Sequence, residues 1–171
     1  GHAAALRSVS SEVRILAVAR DAQALERGRI RLDEFGDRVE FCHAPFSSLA
    51  SVVPEEMRGR LDGILADFGL SSDQIEDRER GFSFLIDGPL DMRMDTSGES
   101  PSAAELLRRA SARELQHWFQ VYGELPGARR LARAIVERRE QAPIESTRDL
   151  VDVIHQAGIG RGRRCSHCPW Q

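Results

Sequence analysis

The stretch Val13-Arg-Ile-Leu-Ala-Val-Ala19 decides the class of fold that this chain adopts. It is short, apolar and rich in β-branched residues, which is typical of a buried strand. Further along, Arg38–His43 alternates with period two and predicts a second strand, and Leu61–Asp67 predicts a third. Residues 21–35 and 45–53 lie between these strands and are predicted to be helical. Strands that alternate with helices indicate right-handed βαβ units and a parallel sheet.

From about residue 100 onward the pattern predicts helices alone. Ser102-Ala-Ala-Glu105 and Ser111-Ala-Arg-Glu114 are capping boxes, in which a serine oxygen and a glutamate oxygen accept hydrogen bonds from otherwise unpaired N–H groups. A third helix is predicted over about 128–140, and a fourth from Thr147, as its N-cap, to Gly158. The fold class is therefore α/β, with a parallel sheet followed by an all-helical segment.

The length and composition exclude several classes of protein. The chain has 171 residues, of which 41% are hydrophobic, and this suffices for one packed domain or one domain with an insert. No apolar run approaches the roughly 20 residues of a membrane-spanning helix, and no leading segment resembles a secretory signal. Three cysteines, an odd number, argue against a disulfide scaffold and favour the reducing cytoplasm. A net charge of -3 gives no field over the whole protein that would attract nucleic acid.

The connection between the two halves, about 68–99, is long and shows no regular pattern. Loops of more than about 15 residues within a domain are usually functional or disordered. This one is too apolar for a solvated linker, because it contains Phe82, Phe84, Leu85, Ile86, Leu90, Met92 and Met94. We therefore expect it to pack over the edge of the sheet as the cover of an active site.

Ligands of open parallel sheets bind beyond the carboxyl ends of the strands. Three places in this chain qualify, after Ala19, after His43 and after Asp67. Asp67 is the most informative of them, because it ends a predicted buried strand and is followed by Phe68-Gly69. Its carboxylate either faces a crevice or caps the turn that follows, and the residues alone leave both readings open.

Three segments of the sequence carry a resemblance to a known family. They read Asp62-Gly-Ile-Leu-Ala-Asp-Phe-Gly-Leu-Ser-Ser-Asp-Gln74, Glu79-Arg-Gly-Phe-Ser-Phe84 and Asp87-Gly-Pro-Leu-Asp-Met-Arg-Met-Asp95. Together they closely resemble the RsmH/MraW family, which are S-adenosylmethionine-dependent methyltransferases of the small-subunit 16S ribosomal RNA that modify the N4 atom of a cytosine. The resemblance extends from Gly1 to about Val153.

The resemblance also implies an architecture. It implies a partial Rossmann-like sheet of the class I methyltransferases over residues 1–99, including the cover loop, and an all-helical insert domain over 100–158. The predicted strands correspond to the family's second, third and fourth, with an unfilled position in the sheet between them. Residues 159–171 depart from the family and are predicted to be an aberrant or disordered tail.

The resemblance assigns five residues to S-adenosylmethionine. Gly1 and His2 match the last two residues of the family's glycine-rich loop, Phe46 matches the position that packs on the adenine, and Asp67 and Gln74 match the remaining contacts. From the residues alone, Gly1-His2 is equally a tag remnant or a frayed terminus. Phe46 is, in the same way, also compatible with an ordinary place in the core.

One family position is changed in this chain. The resemblance implies that the family's second strand ends in an Asp-Arg-Asp-Pro pattern whose first aspartate holds the ribose hydroxyls, and this sequence has Ala19 there, followed by Arg20-Asp21. The ribose carboxylate is therefore absent unless Asp21 takes its place. Loss of such a buried hydrogen-bonding partner costs about 1–3 kcal/mol.

The chemistry that the resemblance implies assigns a catalytic role to Asp67. Methyl transfer from a sulfonium needs alignment of the reacting atoms more than acid–base help. Cytosine N4 is a poor nucleophile, so an acceptor for its N–H group would aim the nitrogen lone pair. Asp67 is the candidate, as cofactor contact first and N4–H acceptor second. Phe82 or Phe84 would receive the unstacked base, although a place in the core is the more usual role for such residues.

The helical segment carries the candidate RNA-binding residues Arg129, Arg130 and Arg133. Arginine suits phosphate binding through its forked donors. Glutamates are interleaved with these arginines, however, and a solvated helix face has the same composition. The sequence indicates no membrane partner, and it leaves a homo-oligomer open.

Two functions follow from the sequence. The chain is either part of an rRNA cytosine-N4 methyltransferase or a non-catalytic remnant that acts at most as an RNA-associating helical module. A zinc site in the tail is not expected, because Cys165, His167 and Cys168 supply three ligands and structural zinc needs four.

Overall fold

The computed structural model describes residues 2–10 and 12–159. Contacts divide the chain into two units. The first, which we call the sheet unit, consists of Gly1–Phe68 and Met94–Glu99, and the second, the helical unit, consists of Gly69–Arg93 and Ser100–Gln171. The combination of a parallel ladder with many helices confirms the predicted α/β class with a partial Rossmann-like sheet. The expected domain boundaries at residues 99 and 158 stay a prediction.

The sheet unit is built around two parallel strands. In chain order its helices and strands are α1 (His2–Val9), β1 (Ile15–Ala19), α2 (Ala22–Leu32), β2 (Val39–His43) and α3 (Leu49–Val52). The register of the ladder runs from the pair Ile15 and Val39 to the pair Ala19 and His43. Both predicted strands and both predicted helices between residues 21 and 53 are therefore confirmed. The carboxyl ends of the two strands lie side by side.

The third predicted strand, Leu61–Asp67, is wrong. The segment is irregular, and all of its residues are exposed, with Ile64 at 70% and Leu65 at 61%. A strand forms only where a neighbouring strand supplies partners for its N–H and C=O groups. Within the described residues the ladder consists of β1 and β2 alone. Asp67 therefore does not end a buried strand.

The helical unit contains the remaining helices. They are α4 (Ser72–Glu76), α5 (Ala103–Arg109), α6 (Ala112–Val121), α7 (Ala128–Gln141) and α8 (Thr147–Gln156). The predicted capping boxes at the starts of α5 and α6 are both present. The N-cap of α8 is Ser146, whose hydroxyl accepts from the Asp149 N–H, and not Thr147 as the sequence suggested. Thr147 is unsuited to that role because its hydroxyl accepts from the Gly88 N–H and donates to the Ile86 carbonyl.

The largest fully buried side chains all belong to the helical unit. Leu115 of α6, Ile135 of α7 and Val153 of α8 are completely shielded from solvent. Leu90, from the preceding loop, is 2% exposed and packs in the same cluster. The hydrophobic core of the described residues is thus concentrated where three amphipathic helices meet. None of these helices, nor any other in the described part of the chain, is long and apolar enough to cross a bilayer.

Most of the expected cover loop packs against the helices of its own unit. The Leu90 N–H donates to the Glu145 carbonyl at 2.8 Å, and Pro89 forms an isolated bridge with Ser146. Gly81 has a positive φ of 67°, and a Cβ there would collide with the Pro89 carbonyl. Residues 69–93 of the expected cover loop therefore belong to the helical unit, where Leu90 completes the core, and the covering role stays a prediction.

Candidate functional site

A cleft of about 350 Å³ opens at the carboxyl ends of β1 and β2. The Ala44 N–H donates to the Ala19 carbonyl at 3.1 Å, so the hydrogen bonding between the two segments continues one residue past the end of β2. The cleft is lined by Arg20, His43, Ala44, Pro45, Ser47 and Asp95. Its position is the one at which open parallel sheets bind ligands, and its size falls within the range of small-molecule pockets. Two of the three strand ends expected to carry chemistry thus contribute to one cleft.

A histidine–aspartate pair lies at this cleft. The His43 Nε2 atom is 2.8 Å from the Arg20 carbonyl oxygen and 3.3 Å from the Asp95 Oδ2 atom. The Asp95 Oδ1 atom accepts hydrogen bonds from both the N–H and the hydroxyl of Ser97, at 2.9 and 2.6 Å. These bonds from Ser97, with the nearby His43 and Arg20, hold the pKa of Asp95 below its ordinary value. The carboxylate is therefore ionised at neutral pH.

Sequence reasoning missed this pair. Asp95 was noticed as the last residue of the Asp87–Asp95 segment, and His43 only as a strand end. The two positions are far apart in the sequence, and no spacing rule connects them. One signal in the sequence could have pointed to it. The segment Asp87–Asp95 ends in an aspartate that no general rule of folding requires there.

Three of the predicted cofactor residues take part in two contacts of the sheet unit. The His2 Nδ1 atom lies 3.5 Å from the Asp67 Oδ2 atom. The rings of Phe46 and Phe68 lie 5.2 Å apart and are tilted by 57°. Phe68 directly follows Asp67, and Phe46 stands between two residues that line the cleft. His2, Phe46 and Asp67 are thus brought close together.

These side chains are accessible to a ligand. Phe46 is 72% exposed, which contradicts its alternative reading as a core residue, and the Asp67 side chain is 74% exposed. The alternative role of Asp67 as a cap is not supported either, because its side chain contacts His2 and not a backbone N–H of the turn that follows. Gly1, the remaining residue of the predicted glycine loop, lies outside the described residues.

Gln74, the fifth predicted cofactor contact, belongs to the helical unit. It is 5% exposed, and its side-chain oxygen accepts from the Ser71 N–H at 2.9 Å. The Ser71 hydroxyl accepts in return from the Gln74 N–H, so the two residues form the capping box of α4. The visible contacts of Gln74 are structural, and its cofactor contact stays a prediction.

Asp21 does not replace the missing ribose carboxylate. It is 5% exposed, and its Oδ1 atom accepts from the Gln23 and Ala24 N–H groups at 2.9 and 3.3 Å. These bonds cap the first turn of α2, and removing such a cap costs about 0.5–2 kcal/mol. Asp21 is therefore engaged in holding the helix, and the end of β1, at Ala19, lacks the family's carboxylate.

The three candidate RNA-binding arginines share one groove of the helical unit. The groove has a volume of about 660 Å³ and is lined by Gly127, Arg129, Arg130, Arg133, Ala134, Glu137, Gln156 and Ala157. We call it the arginine groove. The Arg130 guanidinium donates to the Gly158 carbonyl at 3.2 Å, which fixes one of the three side chains. Glu137 brings one negative charge to the same groove.

The two phenylalanines considered as receivers of a base differ in their surroundings. Phe84 is 79% exposed, so it is not a core residue as the usual reading had it. Phe82 is half-buried, with the Arg80 guanidinium 5.9 Å from its ring centre. Arg80 itself is 4% exposed and donates to the Arg93 carbonyl.

A parallel ladder with a ligand-sized cleft at its carboxyl ends defines a Rossmann-like α/β protein. The chain belongs to the MraW methylase family, whose family model matches residues 1–168. It is 40% identical over 169 residues to a protein of Thermobifida fusca named ribosomal RNA small subunit methyltransferase H. The matched residues are 99% of this chain and 51% of that protein.

A second relative carries the same name. The ribosomal RNA small subunit methyltransferase H of Oleidesulfovibrio alaskensis is 44% identical over 158 residues, which are 92% of this chain and 49% of that protein. The chain therefore spans about half the length of the curated relatives it matches.

Proposed function

We propose that this chain forms part of an S-adenosylmethionine-dependent methyltransferase that acts on the N4 atom of a cytosine in small-subunit ribosomal RNA, in the cytoplasm. The family and the names of both relatives support the reaction class. The observation that carries the proposal is the pair of contacts His2–Asp67 and Phe46–Phe68, with Phe46 standing between two residues that line the cleft at the strand ends.

The residues of the sheet unit fit S-adenosylmethionine. The exposed Phe46–Phe68 pair offers an apolar face of the kind on which an adenine ring stacks. The exposed Asp67 carboxylate offers a counter-charge for the ammonium group of the methionine portion. When bound, the cofactor would supply a methyl group on a positively charged sulfur, whose transfer depends chiefly on alignment.

Asp67 is the proposed catalytic residue. A carboxylate that accepts a hydrogen bond from the cytosine N4–H would orient the nitrogen lone pair and hold the base in place. His2, with its Nδ1 atom 3.5 Å from the Asp67 Oδ2 atom, would hold the carboxylate in one orientation. Asp67 is accessible enough to meet a base, since its side chain is 74% exposed.

The arginine groove is the proposed contact with RNA. Its three arginines are exposed and all belong to α7, and the end of α8, at Gln156, lines the same groove. A protein that neutralises phosphates binds RNA more weakly as the salt concentration rises, with a slope of about 0.7 per contact for single strands. Reversal of the three arginines to glutamate should therefore weaken binding and reduce the slope by about 2. The matched control reverses three exposed arginines outside the groove, Arg31, Arg60 and Arg113.

A second candidate function is a non-catalytic, RNA-associating helical module. One contrast favours it, because the helical unit has a closed core whereas all five residues of β1 are only half-buried. Ala19, in place of the ribose carboxylate, points in the same direction. Under this alternative the chain would bind RNA through the arginine groove and would bind no nucleoside.

Titration calorimetry with S-adenosylhomocysteine separates the two functions. The first predicts saturable binding with one site per chain, and the second predicts no heat of binding while RNA binding persists. If RNA binding is unchanged when the three arginines of the groove are replaced by glutamate, the arginine groove is not the RNA contact under either function.

A further inference from the structure

The cleft at the strand ends contains a carboxylate that the proposed function does not yet use. The last residue of β1 is Ala19, where the family has a carboxylate, and Asp21 is engaged in capping α2. Asp95 lines the same cleft, on the segment Met94–Glu99 that belongs to the sheet unit. Its side chain is 19% exposed, so it is sheltered yet accessible from the cleft.

The hydrogen bonds of Asp95 leave it able to accept one more. Each carboxylate oxygen carries about two acceptor positions. The Oδ1 atom uses both for the N–H and hydroxyl of Ser97, whereas the Oδ2 atom faces one donor, the His43 Nε2 atom at 3.3 Å. One acceptor position of a fixed, ionised carboxylate therefore stays available to a ligand.

The charges around the cleft decide what kind of donor suits this position. Arg20 lines the cleft together with His43, so the negative charge of Asp95 is already balanced. A cationic ligand group would be repelled by Arg20, whereas a neutral hydroxyl would not. A hydroxyl bonded to a carboxylate forms a short, charge-assisted hydrogen bond.

We propose that Asp95 contacts a ribose hydroxyl of the nucleoside that binds at the strand ends, in place of the carboxylate missing at the end of β1, and that His43 is its positioning residue. This inference rests on the proposed function, because it needs a nucleoside in the cleft. The His43 Nε2–H donates to the Arg20 carbonyl and the same nitrogen lies 3.3 Å from the Asp95 Oδ2 atom, so His43 ties the end of β2 to the segment that carries Asp95.

The test measures the preference of the full chain for a ribose over a deoxyribose. Calorimetry is carried out with S-adenosylhomocysteine, adenosine, 2′-deoxyadenosine and 3′-deoxyadenosine. The unaltered chain should bind adenosine about 10- to 100-fold more tightly than one of the deoxy analogues, as expected for a hydrogen bond to a charged group. Asp95→Asn should remove that preference while it still binds the disfavoured analogue as before.

Two further variants separate the contact from a general loss of structure. Glu99→Gln, which removes one charge from an exposed position of the same segment, should keep the preference. His43→Ala should reduce the preference, and His43→Gln, which retains an N–H donor, should restore most of it.

The outcomes distinguish the inference from the function on which it rests. If the unaltered chain binds neither S-adenosylhomocysteine nor adenosine, the proposed function itself fails. If it binds them but shows no ribose preference, or if Asp95→Asn keeps the preference, the inference alone is overturned. An Asp95→Asn chain that binds none of the nucleosides also overturns it, because loss of one hydroxyl contact leaves the other contacts in place.

Discussion

Replacement of Phe46 by alanine tests the proposed nucleoside site with little risk to the fold. The Phe46 side chain is 72% exposed, and its ring contact is with Phe68, which is equally exposed. Truncation therefore removes little buried surface, and the free energy of unfolding should change by less than about 1 kcal/mol. A stacked base contributes about 1–3 kcal/mol to binding on an aromatic ring. Phe46→Ala should accordingly raise the Kd for S-adenosylhomocysteine by about 5- to 150-fold.

The assay is titration calorimetry of the full chain, accompanied by thermal unfolding of each variant. Phe84→Ala is the matched control, because Phe84 is 79% exposed but belongs to the helical unit. The control should bind as tightly as the unaltered chain. Equal Kd values for Phe46→Ala and the unaltered chain would refute the reasoning, as would a similar loss of affinity in both variants.

Three further predictions concern the two units. Leu115→Ala should lower the free energy of unfolding by about 2–5 kcal/mol because Leu115 is fully buried, whereas Ile64→Ala, at a position 70% exposed, should leave the urea midpoint unchanged. Ala19→Asp should tighten the binding of S-adenosylhomocysteine by restoring a carboxylate at a strand end; unchanged calorimetric affinity would show that Ala19 does not face the nucleoside. The guanidinium of Arg93 donates to Asp91 and holds the pKa of that carboxyl below its ordinary value. The stabilisation from this interaction is fully present above the pKa that Asp91 has in the unfolded chain. It is lost as the pH falls from about 5 through the lowered pKa of the folded state. Unfolding curves of Asp91→Asn should therefore depend less on acid than those of the unaltered chain, and parallel pH profiles would contradict this.

Local patterns in the sequence predicted most of the regular structure. The period-two and β-branched segments became β1 and β2, and the serine–glutamate pairs at 102–105 and 111–114 became helix caps. These signals act between residues close in sequence, so a single sequence contains them. The helix α1 was not predicted, and of its residues only His2 was interpreted, as the end of a glycine loop.

The errors arose where distant residues decide the outcome. Leu61–Asp67 has the composition of a strand, but it lacks a neighbouring strand among the described residues and stays irregular. Thr147 resembles an N-cap, but its hydroxyl bonds to a loop some 60 residues earlier, and Ser146 takes that place. The apolar loop residue Leu90 finds its partners in the helices of its own unit.

The candidate site was predictable only in part, for the same reason. The resemblance supplied Phe46 and Asp67; the structure places Phe46 between two cleft residues and against Phe68, and it places Asp67 against His2. The pairing of His43 with Asp95 joins the end of β2 to a segment more than 50 residues further along the chain. Such a contact depends on how the backbone folds back, which no local pattern encodes.

The location of the bound nucleoside is the central claim, and amide chemical shifts measure it directly. On titration of the isotope-labelled full chain with S-adenosylhomocysteine, the backbone amides that line or adjoin the cleft should shift in a saturable way, whereas those of the arginine groove should stay unchanged. The cleft amides are those of Arg20, His43, Ala44, Phe46, Ser47 and Asp95. Saturable shifts confined to the helical unit, or no shifts at all, would contradict the account.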